Sequence, residues 1–204
     1  FYSLIAIAEK RLPAEARKFL DVIKDEQFDW ETIIRASFNP NPSEEEIPEK
    51  EVKASGEHDE QLDLIDLFIE ESLRPELEVV AEQYGAAVEK SEWMEGYCPI
   101  CGKEPKIGEI RESEDGRRYL FCHQCGYKWH FRRIKCPFCG NEEQQSLAYF
   151  AIEGDERYRV DVCNECKRYI KIVDFRKGEQ KADLDIEDIA TLHLDMLAND
   201  EGYD

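Results

Sequence analysis

Positive charge and long apolar runs are both scarce in this 204-residue chain. Its 27 Lys and Arg face 47 Asp and Glu, a formal net charge of −20, which repels phosphate and argues against a general nucleic-acid binder. The longest greasy stretch, Leu62 to Ile69, is broken by Asp63 and Asp66, so no segment reaches the length of a membrane span. No signal peptide is visible, although the chain begins at Phe1 rather than at methionine. It has no glycine-rich phosphate loop, no Gly-x-Ser-x-Gly and no carboxylate pair in a catalytic setting. Those absences point away from hydrolases and transferases. Hydrophobic content of 42% still allows a core, as one ordinary domain or two small ones.

Cysteine is absent from the first 97 residues. All eight come later, as four Cys-x-x-Cys pairs: Cys98/Cys101, Cys122/Cys125, Cys136/Cys139 and Cys163/Cys166. A two-residue gap turns both sulfurs toward one point, which is half of a tetrahedral thiolate site. Four halves make two sites with no thiol left over. In a secreted chain eight cysteines would indicate a disulfide framework. A bridge within Cys-x-x-Cys is instead a redox motif, and these segments lack the βαβ setting that thioredoxin-like chemistry needs. Two metal ions, one per four-cysteine site, are expected in a reducing cytosol.

Charge is distributed unevenly around those pairs. Residues 1–97 carry a net −15, residues 98–178 a net +3 and residues 179–204 a net −8. Four thiolates around a divalent ion add about −2 per site, which brings the central island close to neutral.

The first 97 residues read as a helical domain. Pro13 suits the first turn of a helix through Phe19, Leu20 and Ile23. A second helix carrying Phe28, Trp30, Ile33 and Ile34 stops at Asn39-Pro40-Asn41-Pro42. Residues 43–60 form an acidic, exposed connection. Leu62, Ile65, Phe68, Ile69 and Leu73 then mark a stripe that Leu77, Val80, Tyr84 and Val88 continue beyond Pro75, which either kinks one helix or starts another.

From Cys98 the pattern changes to short strands and turns. Ile107 to Arg111 and Arg118 to Phe121 flank Asp115-Gly116, and Ser146 to Ile152 and Tyr158 to Val162 flank Gly154-Asp155; each reads as a hairpin. Lys128 to Ile134 and Tyr169 to Val173 each add a strand. The two halves thus repeat one order: pair, hairpin, pair, strand. This repeat favours sequential pairing of the cysteines, with each half a self-contained ribbon. Gly102, Gly126 and Gly140 follow three of the pairs, where a knuckle needs a left-handed residue. Lys167 follows the fourth, which is either strained or turns differently. Zinc and iron both accept four thiolates, so the metal stays open between them. The last element, Asp185 to Asn199, reads as one amphipathic helix capped by Asp185, with Ile186, Ile189, Ala190, His193 and Leu197 on its inner face.

Tyr127 to Lys135 alternates aromatic and basic residues. It reads either as a nucleic-acid surface or, better, as a strand burying Trp129, Phe131 or Ile134. His130 is placed beside the first site as a hydrogen-bonding neighbour, His123 as an exposed knuckle tip, and His193 at the edge of the core.

Arg118-Tyr119-Leu120 before Cys122-His123-Gln124-Cys125-Gly126, then Trp129-His130 and Arg133-Ile134-Lys135-Cys136, resembles the formate dehydrogenase accessory protein FdhE family. So do Cys163-Asn164-Glu165-Cys166 with Tyr169-Ile170-Lys171-Ile172, and the ending Asp188-Ile189-Ala190-Thr191-Leu192 with Glu201-Gly202-Tyr203. Leu73-Arg74-Pro75 is similar to the family's helical core. Lys167 departs from the family's usual glycine, and the N-terminal region is shorter than usual.

The resemblance implies a cytoplasmic maturation adaptor, not an enzyme, that binds the catalytic subunit of a formate dehydrogenase, with the eight cysteines holding zinc or rubredoxin-like iron. The alternatives are a nucleic-acid-binding zinc-ribbon protein and an iron-containing redox partner in maturation. The expected architecture is α+β: a helical domain over 1–97, rubredoxin-like (zinc-ribbon) modules over 98–135 and 136–178, and an acidic C-terminal helix over 179–204.

Overall fold

Six short strands rich in β-branched and aromatic residues pair into one sheet. They are Ile107–Ile110 (β1), Arg118–Phe121 (β2), Lys128–Phe131 (β3), Leu147–Phe150 (β4), Tyr158–Cys163 (β5) and Tyr169–Asp174 (β6). The computed structural model describes residues 2–11, 20, 58–112, 116–151, 154, 156–177 and 183–204. The helices expected from Pro13 to Ile34, apart from Leu20, and the connection 43–60 except for its last three residues, lie outside the described residues.

Both expected hairpins form, β1 with β2 and β4 with β5, and β3 and β6 extend them antiparallel. The two halves do not stay separate. Strand order is β3-β2-β1-β6-β5-β4, with β1 and β6 parallel from Ile107 opposite Lys171 to Ile110 opposite Asp174. Each three-stranded ribbon would otherwise leave backbone donors and acceptors bare along its inner edge, and this seam satisfies them. All four residues of β1 are buried, including Glu109, whose carboxylate takes Lys128 at 2.9 Å.

Two compact units divide the chain, Phe1–Glu76 and Leu77–Asp204. In the first, Tyr2–Arg11 forms helix α1, and Ile5, Leu20, Phe68 and Ile69 are buried. Helix α2 runs without interruption from His58 to Lys90 with Pro75 inside it, so the proline starts no new helix. Among the described residues no helix is long and apolar enough to cross a membrane.

In the second unit one face of the sheet carries Ile110, Leu120, Trp129, Phe131, Ile170 and Ile172 against Ala81 and Leu77 of α2. Phe68, Ile69 and Leu77 of the expected stripe do face inward, but beyond Leu77 the helix turns small residues to the sheet instead of Val80 and Tyr84. Ala81 and Gly85 are buried, while Val80 and Tyr84 are exposed. The reason is proximity: a Cβ on Gly85 would meet the Tyr127 ring at 2.9 Å, and the Tyr127 hydroxyl donates to the Gly85 carbonyl at 3.1 Å.

The opposite face buries Ile107, Phe121, Val160, Val162 and Val173 under two C-terminal helices. These are Leu184–Ala190 (α3) and Leu192–Asp200 (α4), in place of the single helix expected. They break at Thr191, whose hydroxyl donates back to the Glu187 carbonyl at 2.7 Å. The cap is Asp183, which accepts from the Asp185 amide, not Asp185 itself. Their inner face is Leu184, Glu187, Thr191, Leu194 and Ala198, and Ile186, Ile189, Ala190 and His193 are exposed. Polar anchors chose that face. Glu187 pairs with Arg157 and the Tyr158 hydroxyl, and buried Lys171 reaches Asp188 at 2.7 Å and Asp195 at 2.6 Å. A charge left buried without its partner costs several kcal/mol, at least about 3, so these pairs outrank isoleucine burial.

Candidate metal centres

Each Cys-x-x-Cys pair sits in the same backbone turn. The residue after the second cysteine donates its N–H to the carbonyl of the first, at 2.9 Å for Gly102, Gly126 and Lys167 and 3.1 Å for Gly140. The amide of each first cysteine then donates to the carbonyl five residues on, at 2.8 to 3.0 Å. The turn requires φ > 0, and all four residues have it, including Lys167 at 59°. The fourth knuckle therefore turns like the others and carries the strain of a left-handed lysine, about 1 kcal/mol. Lys167→Gly removes that strain but loosens the unfolded chain. The expected net gain is about 0.5 kcal/mol in chemical denaturation, and a loss of stability would show that the turn is unstrained.

The knuckles gather the sulfurs in sequential pairs. Cys98, Cys101, Cys122 and Cys125 form one group, and Cys136, Cys139, Cys163 and Cys166 the other, each with its four sulfurs within 4.8 Å of one another. Sγ–Sγ approaches are 3.4 Å for Cys98–Cys125 and Cys101–Cys122, and 3.7 Å for Cys136–Cys166 and Cys139–Cys163. A tetrahedral ion with metal–sulfur bonds of about 2.3 Å needs edges of about 3.8 Å. The second cage has that size, and the first is only slightly tighter, so four thiolates around one ion fit both.

Donors reach these sulfurs as well. The Ile100 amide points at Cys98 Sγ at 3.4 Å, and the Asn141 side chain at Cys163 Sγ at 3.6 Å. Hydrogen bonds first from Cys122 and then from Cys125 hold the Cys101 thiol well below the ordinary range, while the same neighbour contact with Cys101 pushes Cys122 up. Burial pushes Cys163 up, but the backbone amides of Cys166 and Glu165 and the Asn141 side chain outweigh it and leave the thiol at about 7. The first cage has three buried cysteines and a half-buried Cys101. In the second, Cys139 is exposed and Cys166 half-buried.

The two centres adjoin through residues that were not singled out from the sequence. A Cβ on Gly96 would lie 1.7 Å from the Pro137 carbonyl oxygen, so the approach to the first knuckle rests directly on the third. Arg168, just past the fourth knuckle, donates twice to Glu104, just past the first, at 2.9 and 2.7 Å. That guanidinium holds the Glu104 carboxyl below its usual range, and it also stacks 3.8 Å from the Phe138 ring of the third knuckle. Glycine two residues before a knuckle was the one available signal for the first contact; nothing in the sequence pattern marks the second.

None of the histidines joins a cage among the described residues. His123 is not an exposed tip, because its Nδ1 lies 2.7 Å from the Asp185 carboxylate and ties the second knuckle to α3. His130 alternates with Trp129 along β3, so it faces away from the first cage and packs at 5.8 Å against the Tyr119 ring. In the aromatic–basic strand Trp129 and Phe131 are buried, Ile134 is exposed, and Lys128 and Arg132 pair with Glu109 and Glu142. That leaves neither of the two large buried rings available to stack a base.

Residues 97–133 match the family model described as the central domain of FdhE, and residues 134–204 match the one described as its C-terminal domain. Together these span more than half of the chain. The chain belongs to the FdhE family. The break between the two FdhE matches falls between the second and third knuckles, so each matched domain holds one complete four-cysteine group.

A protein FdhE homolog of Aquifex aeolicus is 37% identical over 143 residues, covering 69% of this chain and 50% of that protein. The homolog of Pseudomonas aeruginosa is 39% identical over 114 residues, 52% of this chain and 36% of that one. Protein FdhE of Salmonella paratyphi A is 32% identical over 109 residues. The crystal structure of the FdhE protein from Pseudomonas aeruginosa overlays with a TM-score of 0.49 and 35% identity, covering 54% of this chain and 39% of that one. The chain thus spans about half the length of the first relative and about a third of the others.

Proposed function

We propose that this chain is a cytoplasmic accessory factor that binds the catalytic subunit of a formate dehydrogenase during maturation and catalyses no reaction itself. The observation that carries the reading is the pair of adjoining four-cysteine cages fused into one sheet, in a chain of the FdhE family. Cys98, Cys101, Cys122 and Cys125 ligate one ion, and Cys136, Cys139, Cys163 and Cys166 another. Zinc or iron(II) in such a cage supplies four strong bonds that lock the knuckles, and iron adds the capacity to exchange one electron. The chain's own residues then do the positioning: the knuckle turns aim the sulfurs, and Glu104 with Arg168 holds the cages side by side. The result is a rigid platform for a protein client.

Co-purification tests the adaptor role. The tagged chain should retain the catalytic subunit in its cofactor-free form, its cofactor-loaded form or both, and failure to retain either sinks the reading. Metal analysis with an absorption spectrum tests the centres, where two ions per chain are expected. The exposed Cys139 favours, as a second reading, electron exchange at the second cage. A thiolate-to-iron band that bleaches on reduction is its minimum requirement, and a colourless two-zinc protein ends it.

A further inference from the structure

Strand β4, Leu147–Phe150, is an edge: among the described residues its only sheet partner is β5. Proteins guard such edges by keeping the strand short, as β4 is at four residues, or with lysine, proline, a bulge or a covering element. Leu-Ala-Tyr-Phe has none of the guarding residues, Ala148 is exposed, and the Tyr149 ring is 67% exposed.

The same edge borders a pocket of about 510 Å³, a volume typical of ligand sites. Register places Tyr149 opposite Asp161, so both lie on one face with Arg159, two residues earlier on β5. They share the floor, and the linker residues Arg133 and Lys135 form a wall. Five of its lining residues are Lys or Arg and Asp161 is the single carboxylate among them, although Glu104 holds Arg168, Glu142 lies 3.7 Å from Lys135, and Cys136 and Cys163 of the second cage also line it. Asp161 is already divided between two guanidiniums, Arg118 at 3.2 Å and Arg159 at 2.9 Å. Arg118 is fully buried and donates to Asp161 and to the carbonyls of Arg132 and Lys135, so it braces the floor and is out of reach of an occupant.

We propose that this pocket docks an extended acidic segment of a partner protein, which adds along the β4 edge and sets its carboxylates against Arg133 and Arg159. A bare strand edge offers alternating donors and acceptors that another backbone matches and a free phosphate does not. The exposed Arg133, with Arg159 beside it, favours acidic side chains, and the exposed Tyr149 ring and Ile134 give apolar footing for the residues between them. The inference rests on the adaptor reading in one respect, that the occupant belongs to a protein client.

The test uses the metal-loaded full chain and fluorescence anisotropy with a fluorescein-labelled seven-residue peptide of alternating glutamate and valine. Saturable binding is expected, falling about tenfold or more in the Arg133→Glu/Tyr149→Ala double variant, whose altered residues are both exposed. A lysine–valine peptide of equal length should not bind. No saturable binding, equal binding of the lysine peptide, or unchanged affinity in the variant overturns the proposal. Tighter binding of inorganic phosphate or ATP at the same residues also overturns it. So does a concentration-dependent dimer abolished by Tyr149→Ala, which would assign the edge to a second copy. If the double variant still captures the catalytic subunit as well as the unaltered chain, the docking site fails and the adaptor reading stands. If the peptide binds as expected but no subunit is captured, the site stands and the adaptor reading fails.

Discussion

Cys136→Ser is expected to cost the chain more than the ion held by its own cage. Assembly of a structural thiolate site releases about 10–16 kcal/mol, as much as or more than the entire stability of an ordinary domain. A local reading, drawn from the internal repeat alone, has the second ribbon unfold and the first survive. The parallel seam argues against that. Strand β6, which follows the fourth knuckle, pairs in register with all four residues of β1 in the other half, whose backbone groups alternate between β6 and β2. Its Ile170 and Ile172 also lie in the same buried cluster as Cys98, Cys122 and Cys125. Losing the second cage therefore opens one whole edge of β1 and hollows the core beside the first cage. The expected outcome is a single, strongly lowered thermal transition and lost amide-exchange protection in β1 and β2 as well as in β5 and β6. A variant that keeps one ion, with β1 and β2 as protected as before, would return the two ribbons to independence.

Gly96→Ala is the second large expectation, and it adds one methyl group. No positive φ forces glycine here; space does. The added carbon would stand 1.7 Å from the Pro137 carbonyl oxygen and 2.6 Å from its carbon, both backbone atoms that no rotamer change can move aside. Either the segment before Cys98 or the third knuckle must shift. The shift also pulls at the Glu95 carbonyl, which accepts from the Trp129 indole at 3.0 Å. Overpacking in a tight core costs about 1–3 kcal/mol when side chains can adjust, and here they cannot, so about 3 kcal/mol or more is expected. Denaturant unfolding of the metal-loaded protein measures it. A loss below about 1 kcal/mol would mean that the two knuckles are not in rigid contact.

The cages were legible in the sequence because a Cys-x-x-Cys knuckle is a local device. Its turn, its left-handed fifth residue and its two sulfurs all lie within a few positions, and the repeat of hairpins decided which pairs meet. The hairpins were legible for the same reason, with Gly116 and Gly154 both at positive φ in their turns. The seam between β1 and β6 was not, since Ile-Gly-Glu-Ile reads only as one arm of a local hairpin, and nothing in it names a partner from the other half. Helix faces failed where hydrophobicity was the guide. Tyr84 lost to Gly85 because the Tyr127 ring needs the space, and Ile186 and Ile189 lost to Glu187 because Arg157 and Tyr158 wait beneath it. In both cases the deciding partner sits on another element, out of reach of periodicity.

The seam also imposes an order in time. Each antiparallel pair closes over a short loop, and each knuckle within its own turn, so these steps are fast. Ile107 and Lys171 are 64 positions apart, and their pairing must wait for a long loop to close. During synthesis the first cage can therefore assemble while the inner edge of β1 is still bare, and only the arrival of β6 seals it. Until then the half-made protein carries an adhesive strand, which makes prompt completion of the second half a condition for avoiding aggregation.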